Sequence, residues 1–343
     1  MAKGLFKLYW FAALCTFAIW FFSFMWGGWP ALWTVIVLTL LEVTFSADNA
    51  IVNSKVLITL SPFWQTLFLT VGIVIAVFAI RFIMPIFIVV LGSGLSFSEV
   101  LNLSLNDPAK YAEHLHHAEP AISAFGGTFL LMIALSFFID HKKETHWLRW
   151  LERHLGKLGR YDNFTTFAML IAAIIIYSTV GHEHQSTVLI ASICAMALHS
   201  GLGLLDTMFD KDKAESGKLK AGMAAFAAFI YLQILDSSFS LDGVIGAFAI
   251  TNSVILIMAG LGAGAVWVRS MTVHMVKAKA LDTYVFLEHG AHWAIGFLGA
   301  IMLFKLYGFK PPEWFVGSLG LIFIIFAILW SKYYSSRPVK AES

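Results

Sequence analysis

Four carboxylates stand in long apolar segments of this 343-residue chain, and they come as two matched pairs. The first pair is Glu42 and Asp48, in Leu41-Glu42-Val43-Thr44-Phe45-Ser46-Ala47-Asp48-Asn49-Ala50-Ile51. The second is Asp236 and Asp242, 194 positions later, in Leu235-Asp236-Ser237-Ser238-Phe239-Ser240-Leu241-Asp242-Gly243-Val244-Ile245. Phe-Ser follows the first acid at the same spacing in both. An ionised carboxylate inside a bilayer is costly and marks a functional site by default. Carboxylates, hydroxyls and an amide are hard oxygen donors, suited to Mg-, Ca- or Mn-type divalent cations. The motifs hold neither imidazole nor thiolate, which argues against a zinc-type centre. A divalent cation would offset the burial of the acids. Without it, close carboxyls would keep one or more protons, so proton-coupled exchange is an expectation. The competing reading, neutral acids hydrogen-bonded in helix packing, fits one such acid better than four in register.

On a helical wheel Glu42, Ser46, Asn49 and Asn53 fall within about 60° of one another, while Asp48 lies about 120° from Glu42. Asp236 and Ser240 repeat the stripe, with Asp242 off it. The candidate metal ligands are therefore Glu42, Ser46, Asp48, Asn49, Asp236, Ser240 and Asp242, with matched acids converging across a pseudo-two-fold axis. Arg81 is expected to pair with a motif acid or with the acidic segment 93–119, whereas Arg269 reads as a topology charge near the inner interface. Glu288 and His289, in Glu288-His289-Gly290-Ala291-His292, form a weaker metal constellation that reads more readily as a hydrated helix start. His182-Glu183-His184 reads as an exposed turn, and His199 as a helix–helix hydrogen-bonding residue.

These motifs need helices to position them, and the composition supplies little else. The chain is 59% hydrophobic and 13% charged, with mean hydropathy +0.79. Its apolar runs approach the ~20 residues of a membrane span and lack the period-2 alternation of strands. The fold class is all-α, a polytopic transmembrane bundle of about ten spans. Those spans are 8–26, 31–57, 63–92, 120–139, 164–180, 186–205, 220–249, 254–273, 290–307 and 314–333. With the N-terminus inside, 19 of the 23 basic residues fall in inner segments, so both termini read as cytoplasmic. That count includes Lys142, Lys211, Lys213, Lys218, Arg337 and Lys340. Lys3 and Lys7 before Leu8–Trp26 imitate a signal peptide, but the run is long and lacks a small-x-small site, so it reads as a retained span.

The whole chain, 1–343, reads as one membrane domain. Residues 1–28 give an extra N-terminal span, 29–139 a first repeat half, and 140–218 a basic cytoplasmic loop with connecting spans. A second, inverted half covers 219–333 and a cytoplasmic tail 334–343. The motifs lie in the second and seventh spans, so they cross in opposite directions, as in inverted-repeat transporters. His117, Phe125 and Gly127 match His289, Phe297 and Gly299 at a constant offset, a fainter echo. Thirty helical residues reach about 45 Å, beyond a hydrocarbon core of roughly 30 Å. The motif helices are thus expected to tilt, or to break at 46–49 and 240–243 and free carbonyls as further ligands. Segment 93–119 reads as a hydrated acidic and His-bearing loop or an ion-attracting vestibule. The basic, Trp-bearing loop 140–163 is expected along an anionic leaflet. Cys15 and Cys194 read as packing residues.

The run Glu42 to Asn49, with the paired Asp236-to-Gly243 motif, resembles the signature of the TerC family of bacterial membrane proteins. Within it the chain resembles the DUF475 branch, in the LysE transporter superfamily. The resemblance spans roughly 30–333 in architecture but is specific only in the two motifs. It implies a plasma-membrane exporter of divalent metal, chiefly manganese, and an association with tellurium resistance. It assigns the site to Glu42, Asp48, Asn49, Asp236 and Asp242, with Ser46 and Ser240 less firmly. The second motif departs from the first by starting with Asp and by placing Gly243 where the first has Asn49. Expected partners are divalent metal ions and the lipid bilayer, with no nucleic acid; a homo-oligomer stays open. Chloroplast relatives implicated in membrane-protein insertion keep an assembly-factor or tellurite-resistance scaffold role as the alternative. An intramembrane aspartyl hydrolase is disfavoured because the acids are duplicated pairs without a Tyr-Asp or Gly-x-Gly-Asp context. No enzyme activity, and no cofactor beyond a transported cation, is expected.

Overall fold

Where water is excluded, every backbone amide must find a partner within its own segment, and only helices achieve this locally. The computed structural model describes residues 2–141, 143, 145–161, 163–210 and 219–335, and it is an all-α bundle. The side chain of Asp242 lies outside the described residues. So do Lys142, Lys211, Lys213, Lys218, Arg337, Lys340 and the 334–343 tail beyond Ser335. Among the described residues, seven helical stretches are long and apolar enough to cross a membrane. Their surfaces are inverted relative to a water-soluble protein. Phe17, Phe21, Ile174 and Leu329 face outward, while Glu42, Asp48, Arg81, Asp236 and Arg269 are buried. That pattern is a lipid-facing one, and the chain is a multi-pass membrane protein.

Each of the ten apolar segments contains helix. The first two share α1 (Ala2–Phe45), which is bent where Gly27 and Gly28 leave helical geometry, Gly28 at φ +64°. Pro30 follows the bend, near the start of the second limb, where a missing amide costs little. The first motif continues into α2 (Ala47–Leu57). The third segment is divided into α3 (Pro62–Leu69), α4 (Val71–Val74), a π-helical stretch (Ile75–Ile83) and α5 (Met84–Ser93). Then come α6 (Phe97–Asn106), α7 (Pro108–His117), α8 (Glu119–Ile139), α9 (Arg149–Leu158), α10 (Phe164–Thr179) and α11 (Gln185–Asp210). The chain ends with α12 (Gly222–Phe248), α13 (Val254–Lys277), α14 (Ala280–Thr283), α15 (Leu287–Lys305) and α16 (Glu313–Ser335).

Segment 93–119 is not a loop. Its polar residues serve as caps: the Ser96 amide and the Glu99 carboxylate close a capping box on α6, and Asp107 caps α7 ahead of Pro108. The Ser96 hydrogen bonds hold the Glu99 carboxyl below its ordinary range. Val100, Tyr111 and Leu115 then bury against Ile86, Val89 and Phe248.

The expected break at the motifs is largely absent. Only Ser46 leaves helical geometry (φ −100°, ψ 15°), and the amide ladder runs through it, from Ser46 to Glu42 O and from Ala50 to Ser46 O. The second motif lies inside the continuous α12. The ladder thus holds the Glu42 and Ser46 carbonyls, which are not released as ligands.

The two halves pack by exchange. The limb of α1 that carries Glu42 lies on α13, α12 lies on the π-helical stretch, and α8 lies on α15. Glycines permit these approaches: a Cβ at Gly264 would stand 2.5 Å from Glu42 Cβ, and one at Gly260 2.4 Å from Leu38 Cβ. Gly264→Ala should therefore cost about 1–3 kcal/mol by overpacking; a thermal melt in detergent equal to wild type would contradict so close a contact. Gly127 and Gly299 meet reciprocally. A Cβ on Gly127 would lie 2.8 Å from Gly299 O, and one on Gly299 3.0 Å from Gly127 O. Each residue faces its own counterpart, as at a two-fold axis.

The motif helices run antiparallel. Just past α2, Thr59 O accepts from Lys220 N, and Lys220 O accepts from Ser61 N, immediately before α12 begins. One motif helix arrives at that end and the other departs from it.

Candidate metal centre

The stripe Glu42, Ser46, Asn49 and Asn53 is buried, and Asp48 is buried with it at 4% exposure. Glu42 Oε1 accepts from Ser46 Oγ at 2.9 Å and from Arg81 Nη2 at 2.5 Å. Arg81 rides on the π-helical stretch, and its Nη1 donates to Ala76 O, five residues back, at 2.8 Å. Such widened turns recur at functional sites. The expected pairing of Arg81 with a motif acid is what the structure shows.

Arg269 is not an interfacial topology charge. It is buried, and its Nη2 donates to Asp236 Oδ2 at 3.0 Å and to Gln233 Oε1 at 3.2 Å. Its Nη1 donates to Phe68 O at 3.3 Å, near the end of α3, and the guanidinium lies 3.9 Å from the Phe68 ring centroid. Gly72 leaves it room, since a Cβ there would be 2.8 Å from Nη1. Each first acid takes an arginine from the next span of its own half. The six-residue shortening between Asp236 and Arg269, relative to Glu42 and Arg81, disguised this second pair in the sequence.

Contacts between the halves follow the duplication. Asn49 Nδ2 donates to Asp236 Oδ1 at 2.8 Å. At the mirrored position, a Cβ on Gly243 would lie 3.8 Å from Glu42 Oε2. Position 42 faces 243, and 49 faces 236, an antiparallel register centred on the Phe-Ser pairs. Ser240 does not mirror Ser46: its buried hydroxyl finds no hydrogen-bond partner among the described residues.

A cavity of about 30 Å³ lies between Glu42, Ser46, Asp48, Phe239, Gly243 and Gly320, among others. Asp48 Oδ1 accepts from the Asn49 amide at 2.8 Å, and Asp48 has no ion pair among the described residues. Its Oδ2 stands 3.9 Å from where a Gly320 Cβ would be. Glu42 Oε2 and Asp48 Oδ2 accept no hydrogen bond among the described residues. Two carboxylate oxygens and a hydroxyl bordering a space of one small ion or water fit a hard cation. Among the described residues no three His, Cys, Asp or Glu side chains stand together as a metal-holding group. Asp242 belongs to α12, and its side chain is outside that description.

Glu288 and His289 stand apart from this cavity. Glu288 pairs with Lys55, while His289 Nε2 lies 2.9 Å from Thr145 O and 3.4 Å from Glu152. Glu152, wholly buried, also receives Lys143 Nζ, the Trp147 and Leu148 amides and Trp293 Nε1. Loop 140–163 is therefore latched onto α15 through a carboxylate, with Trp150 left exposed, rather than only laid along a surface. Nothing in the sequence singled out Glu152, one acid in a basic amphipathic helix. His199 makes no hydrogen bond among the described residues. It meets Phe129 edge-on and borders a 430 Å³ cavity with Lys55, Tyr231 and His292. Cys15 and Cys194 are free thiols.

One family profile, described as a protein of unknown function (DUF475), matches residues 47–337. The match takes in Asp48 and Asn49 and the whole second motif, and begins just after Glu42 and Ser46. No curated protein matches the chain. No solved structure matches it either.

Proposed function

The chain belongs to the DUF475 family, and from that premise we propose that it is a divalent-cation exporter. Manganese is its foremost substrate, and the cation crosses through the cavity at Glu42 and Asp48. The proposal places it in the bacterial plasma membrane with both termini cytoplasmic, as a TerC-like branch of the LysE superfamily. One observation carries the reading: Asp48, deeply buried and with no cationic partner among the described residues, shares a small cavity with the free oxygen of Glu42. A packing acid would be hydrogen-bonded through both oxygens or paired, as Asp236 is. The polar side chains that border the cavity, Glu42, Ser46 and Asp48, are all oxygen donors set among apolar ones, which suits Mn²⁺, Mg²⁺ or Ca²⁺ above softer metals. Proton exchange belongs to the proposal, since a buried carboxyl without a counter-charge is balanced by a proton that an entering cation would release.

The test is flux. In liposomes carrying the purified chain and a manganese-sensitive dye, Mn²⁺ should enter at a rate that an imposed pH gradient changes. Absence of cation movement in folded, inserted protein would overturn transport. An insertion defect in cells without altered metal content would point to the assembly-factor role instead.

A further inference from the structure

Among the described residues, neither backbone conformation nor packing requires a glycine at position 243. Its backbone does not lie in the left-handed region, and it sits well inside α12, where glycine is among the poorest helix formers. The packed glycines of this fold are different: at Gly127, Gly260, Gly264 and Gly299 a Cβ would meet its neighbour at 3.0 Å or less. At Gly243 the sole near atom among the described residues is Glu42 Oε2, at the ordinary contact distance of 3.8 Å. A methyl group fits there, so close helix packing is not what keeps this position a glycine.

The mirrored position shows what a side chain would do. Asn49 donates to Asp236 Oδ1 while Arg269 takes Oδ2, so both oxygens of Asp236 are engaged. At Glu42, Arg81 and Ser46 both take Oε1, and no amide stands opposite Oε2. The cavity lies at this end, where the amide is missing. We infer that Gly243 determines cation binding: it leaves Glu42 Oε2 and Asp48 open to one hard divalent cation, while Asn49 closes the equivalent place at Asp236. The two halves share one architecture but have divided the work. The first coordinates, and the first acid of the second is structural. This rests on the transport reading and adds where the ion sits and which residue admits it.

Direct binding to the full chain in detergent separates the two. Mn²⁺ titrations followed by electron paramagnetic resonance should find one ion per wild-type chain. Gly243→Ala should weaken binding by about tenfold, and Gly243→Asn, whose amide reaches Glu42 Oε2, by about 100-fold or more. Metal-free melting of G243A should match wild type, because the methyl group has room. Wild-type protein that binds no Mn²⁺ overturns the transport reading itself. Wild-type protein that binds as inferred, alongside G243A and G243N of undiminished affinity, overturns the role of Gly243 alone, as does a stoichiometry of two ions.

Discussion

Asp48→Asn should reduce Mn²⁺ flux by about 100-fold or more and leave the protein folded. The substitution preserves shape and keeps one oxygen that can accept from the Asn49 amide, the sole hydrogen bond of Asp48 among the described residues. What it removes is a negative charge and the second oxygen, the one nearest Gly320. A buried divalent ion that loses one of two carboxylates forfeits roughly 3–5 kcal/mol of compensation, and each 1.4 kcal/mol is about tenfold in affinity. No arginine is stranded by the change, so folding is spared. Asp48 is for this reason a cleaner probe than Glu42 or Asp236, whose neutralisation would orphan a guanidinium. Vesicle flux and a thermal melt on the same preparation check both parts. Wild-type flux in Asp48→Asn would remove Asp48 from the pathway, and lost flux with a collapsed melt would make it a packing residue.

Arg81→Met should be the most destabilising single change near the site, by about 3–5 kcal/mol, because it leaves Glu42 buried and uncompensated. The long thioether replaces much of the arginine's volume, so the loss reads charge rather than cavity. The second member of the pair provides the control. Arg81→Met combined with Glu42→Gln removes both charges, keeps the acceptor for Ser46, and should recover most of the lost stability. Chemical unfolding of the four proteins in one detergent closes the double-mutant cycle. Additive single effects would mean that the contact carries no coupling. The double variant should still fail to bind Mn²⁺, since its Glu42 carboxylate is gone.

Much of this architecture can be read from the chain because hydrophobic length is a strong signal. Each apolar segment contains helix, and the duplicated Phe-Ser motif reported the opposed directions of α12 and the first motif helix. Short amphipathic elements were hidden. α6 and α7 look like a charged loop because their acids and histidines lie on exposed faces while Tyr111 and Leu115 face the core. Arg269 was misjudged because α13 extends to Lys277, one turn past the expected end, and because its partners Asp236, Gln233 and Phe68 lie on other helices. The inequality of Asn49 and Gly243 was visible as letters. Its meaning was not, since each acts on an acid in the other half, and only the folded register brings 49 to 236 and 243 to 42.

The placement of the two arginines has a mechanical consequence. Glu42 and Arg81 both belong to the first half, and Asp236 and Arg269 both to the second. Neither buried pair need be broken for the halves to move against each other; the ion pairs that do cross between them, Lys55–Glu288 and Glu119–Lys310, lie in more exposed positions. Pulling opposite charges apart in a medium of low dielectric constant would cost many kcal/mol, enough to lock the halves in one arrangement. Here the join is spanned by the amide of Asn49, by Arg269's bond to the Phe68 carbonyl, and by glycine backbones in contact. Those links can be remade by small shifts. Each half balances its own buried ion pair, so the rocking that the proposed transport requires separates no buried charge.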